Sequence, residues 1–276
     1  MILSHPVVRK ISRIVPKLFK ILAVKIYHDI GLIILCKNPV NVLLARWSRS
    51  YPPSEHTLHL RNGMSIKIEL GTSDAQTLAE IFWESVYTPR FLRRIYQEAR
   101  VVCDVGANKG FFCLYAAQAW PKAIVHGYEP DQKLYSIAKQ NLIMNDLEHR
   151  IFLHNKAVYQ TKGNILFRVA TGANRGVGHV VNTNQEQTNN AIPVDAVTIS
   201  DIVEEIGAID FLKVDVEGTE YRIFTVEHVA ALRKVKFISL EWHDVTGCRI
   251  EQITDVLRNA GFRFLVVRRM LYAWRE

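Results

Sequence analysis

Val101-Val102-Cys103-Asp104-Val105-Gly106-Ala107-Asn108-Lys109-Gly110-Phe111-Phe112 is the stretch of this chain that decides its fold. Its apolar start has the composition of a buried strand, which ends in an acid and a glycine turn. The apolar-rich residues 111–120 that follow predict a helix. Because Gly106 and Gly110 lack side chains, the backbone can approach a ligand closely where strand gives way to helix.

A second strand-like run, residues 123–128, leads directly to Glu129. A carboxylate about twenty residues beyond a glycine turn of this kind is placed to accept hydrogen bonds from both ribose hydroxyls of a nucleoside. The two segments together therefore predict a Rossmann-like cofactor site.

The spacing of the glycines indicates which cofactor this is. The chain has G-x-x-x-G, with Asp104 two residues before the first glycine, whereas dinucleotide folds have G-x-G-x-x-G. The Asp104 carboxylate would repel a pyrophosphate, but it suits a ligand that carries an ammonium and a sulfonium group. S-adenosylmethionine is such a ligand, and we predict it as the cofactor. A strand-to-helix turn with no ligand is the alternative.

Four motifs then follow one another along the chain: DVGANKGFF at 104–112, GYEP at 127–130, DFLKVDVEGTE at 210–220 and EWH at 241–243. They closely resemble the FkbM-type methyltransferase family, and the likeness covers roughly residues 57–274. The resemblance implies a class I methyltransferase that uses S-adenosylmethionine. The named member of the family methylates a hydroxyl oxygen.

The resemblance also implies where the cofactor lies. It places the adenine ring near the end of the strand predicted at residues 151–154, and the sulfonium end near the first glycine turn. The candidate cofactor-binding residues are Asp104, Gly106, Ala107, Asn108, Gly110, Glu129, Pro130, Asn155, Ala157 and Asp215.

Carboxylates and a histidine follow two further predicted strands. The strand at 209–214 leads to Asp215 and Glu217, and the next strand leads to Glu241 and His243. Ligands of open α/β sheets bind at the carboxyl edge, where these side chains would meet. An alcohol with a pKa above about 10 needs a base in the transition state, so these four are the candidate catalytic residues. A structural role in a buried polar network is the alternative for each.

The acceptor is predicted to be an oxygen. Many enzymes that methylate amino groups of bases carry Asn or Ser followed by Pro-Pro-aromatic after the fourth strand, whereas this chain has Asp-Val-Glu-Gly at 215–218. We therefore favour the hydroxyl of a sugar, a glycolipid or another small molecule. Asp215, Glu217 and Glu241 are oxygen ligands of the kind that Mg²⁺ prefers, but their spacing is loose and we predict no metal site.

The predicted fold class is α/β, with helices on both faces of a sheet. The resemblance implies a Rossmann-like, seven-stranded, mostly parallel sheet with an antiparallel closing pair at 262–267 and 270–274. Before this core, residues 57–70 predict a hairpin about Asn62-Gly63, and residues 74–98 predict a helix. Residues 159–169 predict an added hairpin. The polar residues 171–190 predict a loop, with substrate contact or a plain surface role as alternatives.

We divide the chain into a basic, partly amphipathic helical segment at 1–56 and a methyltransferase domain at 57–276. Within that domain, residues 57–98 hold the hairpin and helix, and residues 99–276 hold the Rossmann-like core. Residues 1–50 contain nine Lys and Arg against one acid, Asp29, which accounts for the whole formal charge of +8. The basic residues between 9 and 20 recur at helical spacing, opposite an aliphatic stripe.

Three interpretations of this basic segment remain open. It is a helix lying on an anionic membrane surface, a mitochondrial presequence, or a helical cap on the catalytic domain. Its longest uncharged apolar run, residues 30–36, is far short of the ~20 residues that span a bilayer. A signal peptide is disfavoured because charges recur and no small-x-small cleavage site follows.

The cysteines indicate a reducing location. Cys36, Cys103, Cys113 and Cys248 have neither metal-finger nor CxxC spacing, and the chain has no Asn-x-Ser/Thr sequon. We therefore predict a cytoplasmic protein, with peripheral contact at a membrane surface as the alternative.

Two other classes of function are alternatives to an enzyme that methylates small molecules. A nucleic-acid methyltransferase is favoured only by the basic charge, and residues 51–276 hold 26 charges of each sign without a basic stripe interleaved with aromatics. A non-catalytic, cofactor-binding interaction protein would not need Asp104, Glu129 and Asp215 together. Both remain alternatives, and the sequence leaves the oligomeric state open.

Overall fold

The computed structural model describes residues 17–48, 51–169, 179–180 and 191–275. The chain forms two compact units, Met1–Pro89 and Arg90–Glu276. The division at residue 56 stays a prediction about domains, since the compact unit that contains this residue continues to Pro89.

The first unit combines helices with one β-hairpin. Its elements are α1 (Lys17–Leu35), α2 (Val40–Trp47), β1 (Ser54–His59), β2 (Ser65–Leu70) and α3 (Asp74–Phe82). Helix α1 packs against α3, and α2 packs against β2, so elements from both sides of residue 56 are held together. Among the described residues, no helix is both long enough and apolar enough to cross a bilayer.

The hairpin predicted about Asn62-Gly63 is confirmed. Strands β1 and β2 pair antiparallel, with His59 opposite Ser65 on either side of the turn. Gly63 has a φ of +97°, a conformation that glycine adopts without steric cost. The turn therefore sets the register that buries Leu58 and Ile66.

The helix predicted at 74–98 is wrong beyond Phe82. Ser85 has a φ of +55°, which breaks the helical path, and Pro89 disfavours helical backbone at the residue before it. The chain resumes as a 3₁₀ turn at Arg90–Leu92 and a single helical turn, α4 (Arg93–Tyr96). The apolar spacing that predicted one long helix is therefore shared by two short ones.

The second unit contains eleven strands among its described residues. They are β3 (Val101–Val105), β4 (Ile124–Tyr128), β5 (Ile151–His154), β6 (Ala157–Val158), β7 (Gly163–Arg168), β8 (His179–Val180), β9 (Ala191–Val197), β10 (Ile209–Val214), β11 (Val235–Glu241), β12 (Arg263–Val267) and β13 (Met270–Trp274). Seven form one sheet in the order β12-β13-β11-β10-β3-β4-β5, in which β13 is antiparallel to both neighbours. The predicted α/β fold with a seven-stranded, mostly parallel sheet is confirmed.

Helices connect the parallel strands of this sheet. They are α5 (Phe111–Ala119), α6 (Gln132–Ile143), α7 (Ile199–Ile206), α8 (Glu220–Ile223), α9 (Val229–Leu232) and α10 (Ile250–Asn259), with a 3₁₀ turn at Val226–His228. The central strands are apolar on both faces because helices cover them. Phe211 and Phe237 are wholly buried neighbours in β10 and β11.

A smaller four-stranded sheet, in the order β6-β9-β7-β8, is inserted after β5. The hairpin predicted at 159–169 is wrong in its pairing, because β7 pairs antiparallel with β9, and β6 pairs with the same strand in parallel. Residues 170–178 and 181–190, which hold most of the predicted loop at 171–190, lie outside the described residues.

The first turn of the main sheet is constrained from inside the protein. Gly106 has a φ of +83°, and a Cβ built there would lie 1.9 Å from the carbonyl oxygen of Asp215. The end of β3 therefore approaches the end of β10 more closely than any side chain allows. This glycine is required by a neighbouring strand before any ligand is considered.

We expect Gly106→Ala to destabilise the protein more than Gly247→Ala does. Gly247 has a similar φ of +80° with nothing within 4 Å of a built Cβ, so its substitution measures the backbone cost alone. That cost is about 1–2 kcal/mol, and we expect about 1–3 kcal/mol more at Gly106 from the clash with Asp215. Urea unfolding followed by circular dichroism measures both, and equal free energies of unfolding would contradict the close approach.

Candidate active site

The predicted site residues meet where four neighbouring strands end. In the order β11-β10-β3-β4, the carboxyl ends of these strands lead to His243, Asp215, the turn at 106–110 and Glu129. Parallel strands bring their carboxyl ends to one edge of the sheet, which is where α/β proteins bind ligands.

A buried ammonium group lies beneath this edge. The Nζ of Lys213 in β10 is 3.0 Å from the Oδ1 of Asp104 in β3 and 3.8 Å from the Oδ2 of Asp215. It also donates a 2.7 Å hydrogen bond to the carbonyl of Gly106. Lys213 and Asp104 stand opposite each other in the parallel register, so their side chains share one face of the sheet. One cation thus contacts β3, the glycine turn and the acid after β10.

The charge of Lys213 is maintained by its carboxylate neighbours. Burial alone would lower the pKa of this ammonium, but the charges of Asp104 and Asp215 raise it above its ordinary value. Asp104 is wholly buried, and its second oxygen accepts a hydrogen bond from the Cys113 thiol at 3.2 Å. Direct contact of Asp104 with a cofactor is therefore not favoured by its position, because both its oxygens face partners inside the protein.

The turn after β3 is shaped by left-handed backbone at Gly106, Asn108 and Gly110. The amides of Gly106 and Ala107 donate to the carbonyl of Tyr128, which ties the turn to the end of β4. A Cβ at Gly110 would lie 3.2 Å from the Cβ of Ala138, so this glycine permits close packing of α5 on α6.

Glu129 links the turn to the next segment. Its Oε2 accepts a 2.7 Å hydrogen bond from the amide of Asn108, and its Oε1 accepts a 2.8 Å bond from the amide of Asp131. Burial raises the pKa of the Glu129 carboxyl to about 7, although these two amides oppose the rise. A carboxylate has roughly four acceptor positions, so the two amide bonds leave acceptor capacity for ligand hydroxyls.

The residues predicted to lie near the adenine occupy two different settings. Asn155 donates from Nδ2 to the carbonyls of Glu129, at 2.9 Å, and Pro130, at 3.1 Å. It therefore fixes the backbone that carries the Glu129 side chain. Ala157 is buried in β6, opposite Ala196 of the inserted sheet. Cofactor contact by Pro130, Asn155 and Ala157 stays a prediction.

Beyond β10 and β11, a histidine lies among carboxylates. The Nε2 of His243 is 3.2 Å from the Oε2 of Glu217, and its Nδ1 is 2.8 Å from the Oε1 of Glu220. Glu220 is wholly buried, and the same Oε1 accepts from the amides of Val216 and Gly218. The imidazole orientation is thus set from one side, with Nδ1 toward Glu220 and Nε2 toward the other acids.

These carboxylates raise the pKa of His243 to about 9. Burial alone would lower it, but the hydrogen bond that the imidazole donates to Glu220 and the charges of Glu220, Asp215 and Glu217 outweigh the burial. The pKa of Glu217 is itself raised by burial and by Asp215, with His243 opposing. At neutral pH the imidazole is therefore mostly protonated, and it becomes a proton acceptor as the pH rises.

Three of the four predicted catalytic residues are brought together. Donor atoms of Asp215, Glu217 and His243 all lie within 4.8 Å of one another. Glu241, the last residue of β11, is outside this group; it is paired in the sheet with Met270, and its charge acts on Tyr272. Carboxylate and imidazole groups can also hold a divalent cation, and the absence of a metal site stays a prediction.

Sequence reasoning missed the roles of two residues. It did not count Lys213 among the site residues, although a lysine inside an apolar strand is a signal of a buried ion pair. It gave no role to Glu220, the last residue of the 210–220 motif. Its partner His243 is 23 residues away along the chain and arrives from another strand.

A family model and several known proteins are similar to this chain. The family model described as Methyltransferase FkbM domain matches residues 104–264. The 31-O-demethyl-FK506 methyltransferase FkbM of Streptomyces tacrolimicus is 26% identical over 254 residues, covering 80% of this chain and 94% of that protein. The methyltransferase sdnD of Sordaria araneosa is 25% identical over 228 residues, covering 71% and 88% respectively. Among solved structures, the precorrin-6y C5,15-methyltransferase of Geobacter metallireducens is 12% identical and covers 70% of this chain and 93% of its own, with a TM-score of 0.39.

We expect Lys213→Met to lower the free energy of unfolding by about 3–5 kcal/mol, because it leaves the buried Asp104 carboxylate without its counter-ion. Lys236→Met is the matched control, since Lys236 pairs with Asp210 at 2.5 Å but its side chain is 69% exposed. Removing an exposed cation of this kind costs below about 1 kcal/mol, and Asp210, at 16% exposure, keeps its hydrogen bonds from the amides of Arg100 and Val101. Guanidinium unfolding of both variants measures the difference, and similar losses would contradict a structural role for the Lys213 charge.

Proposed function

The chain belongs to the FkbM methyltransferase family, and on that basis we propose that it methylates a hydroxyl oxygen of a small molecule. Methyl transfer itself follows from the family. The oxygen acceptor is supported by the Asp215, Glu217 and His243 group, because a hydroxyl needs a proton acceptor and this group offers one. It is also supported by the relative from S. tacrolimicus, which is named for a 31-O-demethyl substrate. We propose a sugar, a glycolipid or another hydroxylated small molecule as the acceptor.

The residues at the sheet edge fit S-adenosylmethionine. Glu129 retains acceptor capacity for the two ribose hydroxyls after its bonds to two amides. Asp215, whose side chain is 24% exposed, offers a carboxylate for the ammonium group of the ligand. When bound, the cofactor supplies a methyl group that its sulfonium activates for displacement. The turn at 106–110 would lie against the amino-acid end.

His243 is the residue we propose as the base. In the neutral imidazole the proton on Nδ1 is held by Glu220, which leaves the Nε2 lone pair for the acceptor hydroxyl. The hydroxyl proton passes to Nε2 as the oxygen gives up its O–H bond. Asp215 and Glu217 then stabilise the imidazolium that results. Glu220 acts through His243, so it is a positioning residue.

Two measurements test the proposal. Calorimetry with S-adenosylmethionine and S-adenosylhomocysteine tests the cofactor, and methyl transfer to a panel of hydroxylated compounds tests the acceptor. His243→Gln should bind the cofactor as the wild type does but turn over about 10²–10⁴ times more slowly. Equal turnover by wild type and His243→Gln would show that the histidine is not the base. Methyl transfer only to amines would contradict the proposal of an oxygen acceptor.

We expect cofactor affinity to increase as the pH rises through about 7, the pKa to which burial raises Glu129. Ribose hydroxyls donate more strongly to the ionised carboxylate than to its neutral form. Glu129→Gln should bind at least about tenfold more weakly above pH 8 and lose this pH dependence. Glu148→Gln is the control, because it removes the same charge from an exposed position. Calorimetry across this pH range measures the cofactor affinity of each protein. An affinity of Glu129→Gln equal to that of the wild type would contradict the assignment of Glu129 to the ribose.

We expect the pKa of His243 to be close to 9 in the free enzyme and to fall in Glu220→Gln. The substitution removes the negative charge of Glu220, which raises this pKa, while the Gln side chain still provides an acceptor for the Nδ1 proton. NMR titration of the imidazole, assigned by comparison with His243→Gln, measures the pKa without requiring an acceptor. The pH at which turnover rises should shift downward by the same amount. A pKa that stays in place would show that Glu220 does not control the histidine.

A further inference from the structure

Helix α1 presents an unusual apolar face to solvent. Its side chains at 39–50% exposure lie at successive spacings of four, four, three and one: Leu22, Ile26, Ile30, Ile33 and Ile34. At about 100° per residue these five positions fall within roughly a third of the helix circumference. Scattered exposed aliphatic side chains are normal on proteins, but a continuous stripe of this length marks an interaction surface.

Helix α2 of the same unit carries a second apolar stripe. Val40, Leu44 and Trp47 are 51–63% exposed and recur at spacings of four and three. The Nζ of Lys25 in α1 lies 4.2 Å from the centre of the Trp47 ring, so a cation and an indole meet where the two helices touch. Trp is the side chain most enriched at membrane–water interfaces, and lysine stems extend to charged headgroups beside it.

The stretch of sequence that contains α1 and α2 carries charge of almost one sign. The first fifty residues hold nine Lys and Arg and a single acid, Asp29. That acid is buried, with one oxygen 2.6 Å from Arg46 and the other accepting from the Trp47 indole at 2.7 Å. The single acidic charge is thus neutralised inside the protein, and the formal charge of the first fifty residues is +8.

We propose that α1 and α2 seat the protein on an anionic lipid bilayer. The aliphatic stripes enter the boundary between headgroups and acyl chains, and the Lys and Arg of the first fifty residues contact anionic headgroups. A second copy of the chain is a poorer occupant of this face, because docking two such segments would bring their like charges together. The helices lie on the bilayer and do not cross it, in keeping with their length and apolar content.

Flotation of the full chain with vesicles tests this proposal. The vesicles are phosphatidylcholine alone and phosphatidylcholine mixed with phosphatidylglycerol, at low and at high salt. The test variant is Ile30→Glu/Ile33→Glu, whose positions are 46% and 47% exposed, so the fold should be retained. The control is Ile143→Glu, a 56% exposed isoleucine at the end of α6 in the other unit. Circular dichroism and cofactor binding verify that all three proteins are folded.

We expect the wild type and Ile143→Glu to float with the anionic vesicles, more weakly at high salt and more weakly with phosphatidylcholine alone. The double variant should partition at least about tenfold less. Equal binding by the double variant, or no binding of the wild type to anionic vesicles, would overturn the proposal. Sedimentation of the proteins without vesicles tests whether a second copy of the chain binds this face instead. A dimer of the wild type that the double variant does not form, together with no vesicle binding, would make the face a self-association surface.

Discussion

The buried Lys213 ammonium is the interaction on which the rest of the candidate site depends. It joins Asp104 of β3, Asp215 after β10 and the carbonyl of Gly106 in a part of the sheet that excludes water. Removing an ammonium and a carboxylate from water is expensive, and only good geometry compensates for it. The parallel register that places Lys213 opposite Asp104 supplies that geometry, and any slip by one residue would turn the two side chains to opposite faces.

This constraint changes the interpretation of the glycine turn. From the sequence, Gly106 and Gly110 are understood as positions where backbone approaches a ligand. In the folded protein Gly106 first accommodates the Asp215 carbonyl, and Gly110 first accommodates Ala138. Similarly, Glu129 uses one oxygen to hold the turn at Asn108 and the other to hold the amide of Asp131. The residues that fit a cofactor are therefore already ordered by the protein, which lowers the entropic cost of binding.

The central strands could be predicted from the sequence because parallel strands buried on both faces appear as continuous apolar runs, whereas the seven-stranded sheet was implied by the resemblance to the FkbM-type family. Local signals were also sufficient for the Asn62-Gly63 hairpin and for the acids at the strand ends. The prediction of a helix beyond Phe82 was wrong because the apolar periodicity of the sequence continues through a break in the helix at Ser85 and Pro89. The predicted partner of β7 was wrong because its true partner, β9, follows a long polar segment in the sequence. Strand pairing of this kind cannot be found from local sequence. The Glu220–His243 contact was hidden for the same reason.

The electrostatics of the histidine and of the cofactor are coupled. Once Lys213 is paired with Asp104, the group around His243 contains three carboxylates, Asp215, Glu217 and Glu220, and the imidazole contacts Glu217 and Glu220 directly. The field that raises the pKa of His243 to about 9 therefore also attracts a positively charged ligand. By linkage, a cation that binds beside these carboxylates must lower the pKa of the imidazole, since the two positive charges repel each other. If His243 is the base, as proposed, a sulfonium compound bound beside these carboxylates would therefore lower the pH at which the imidazole can accept a proton.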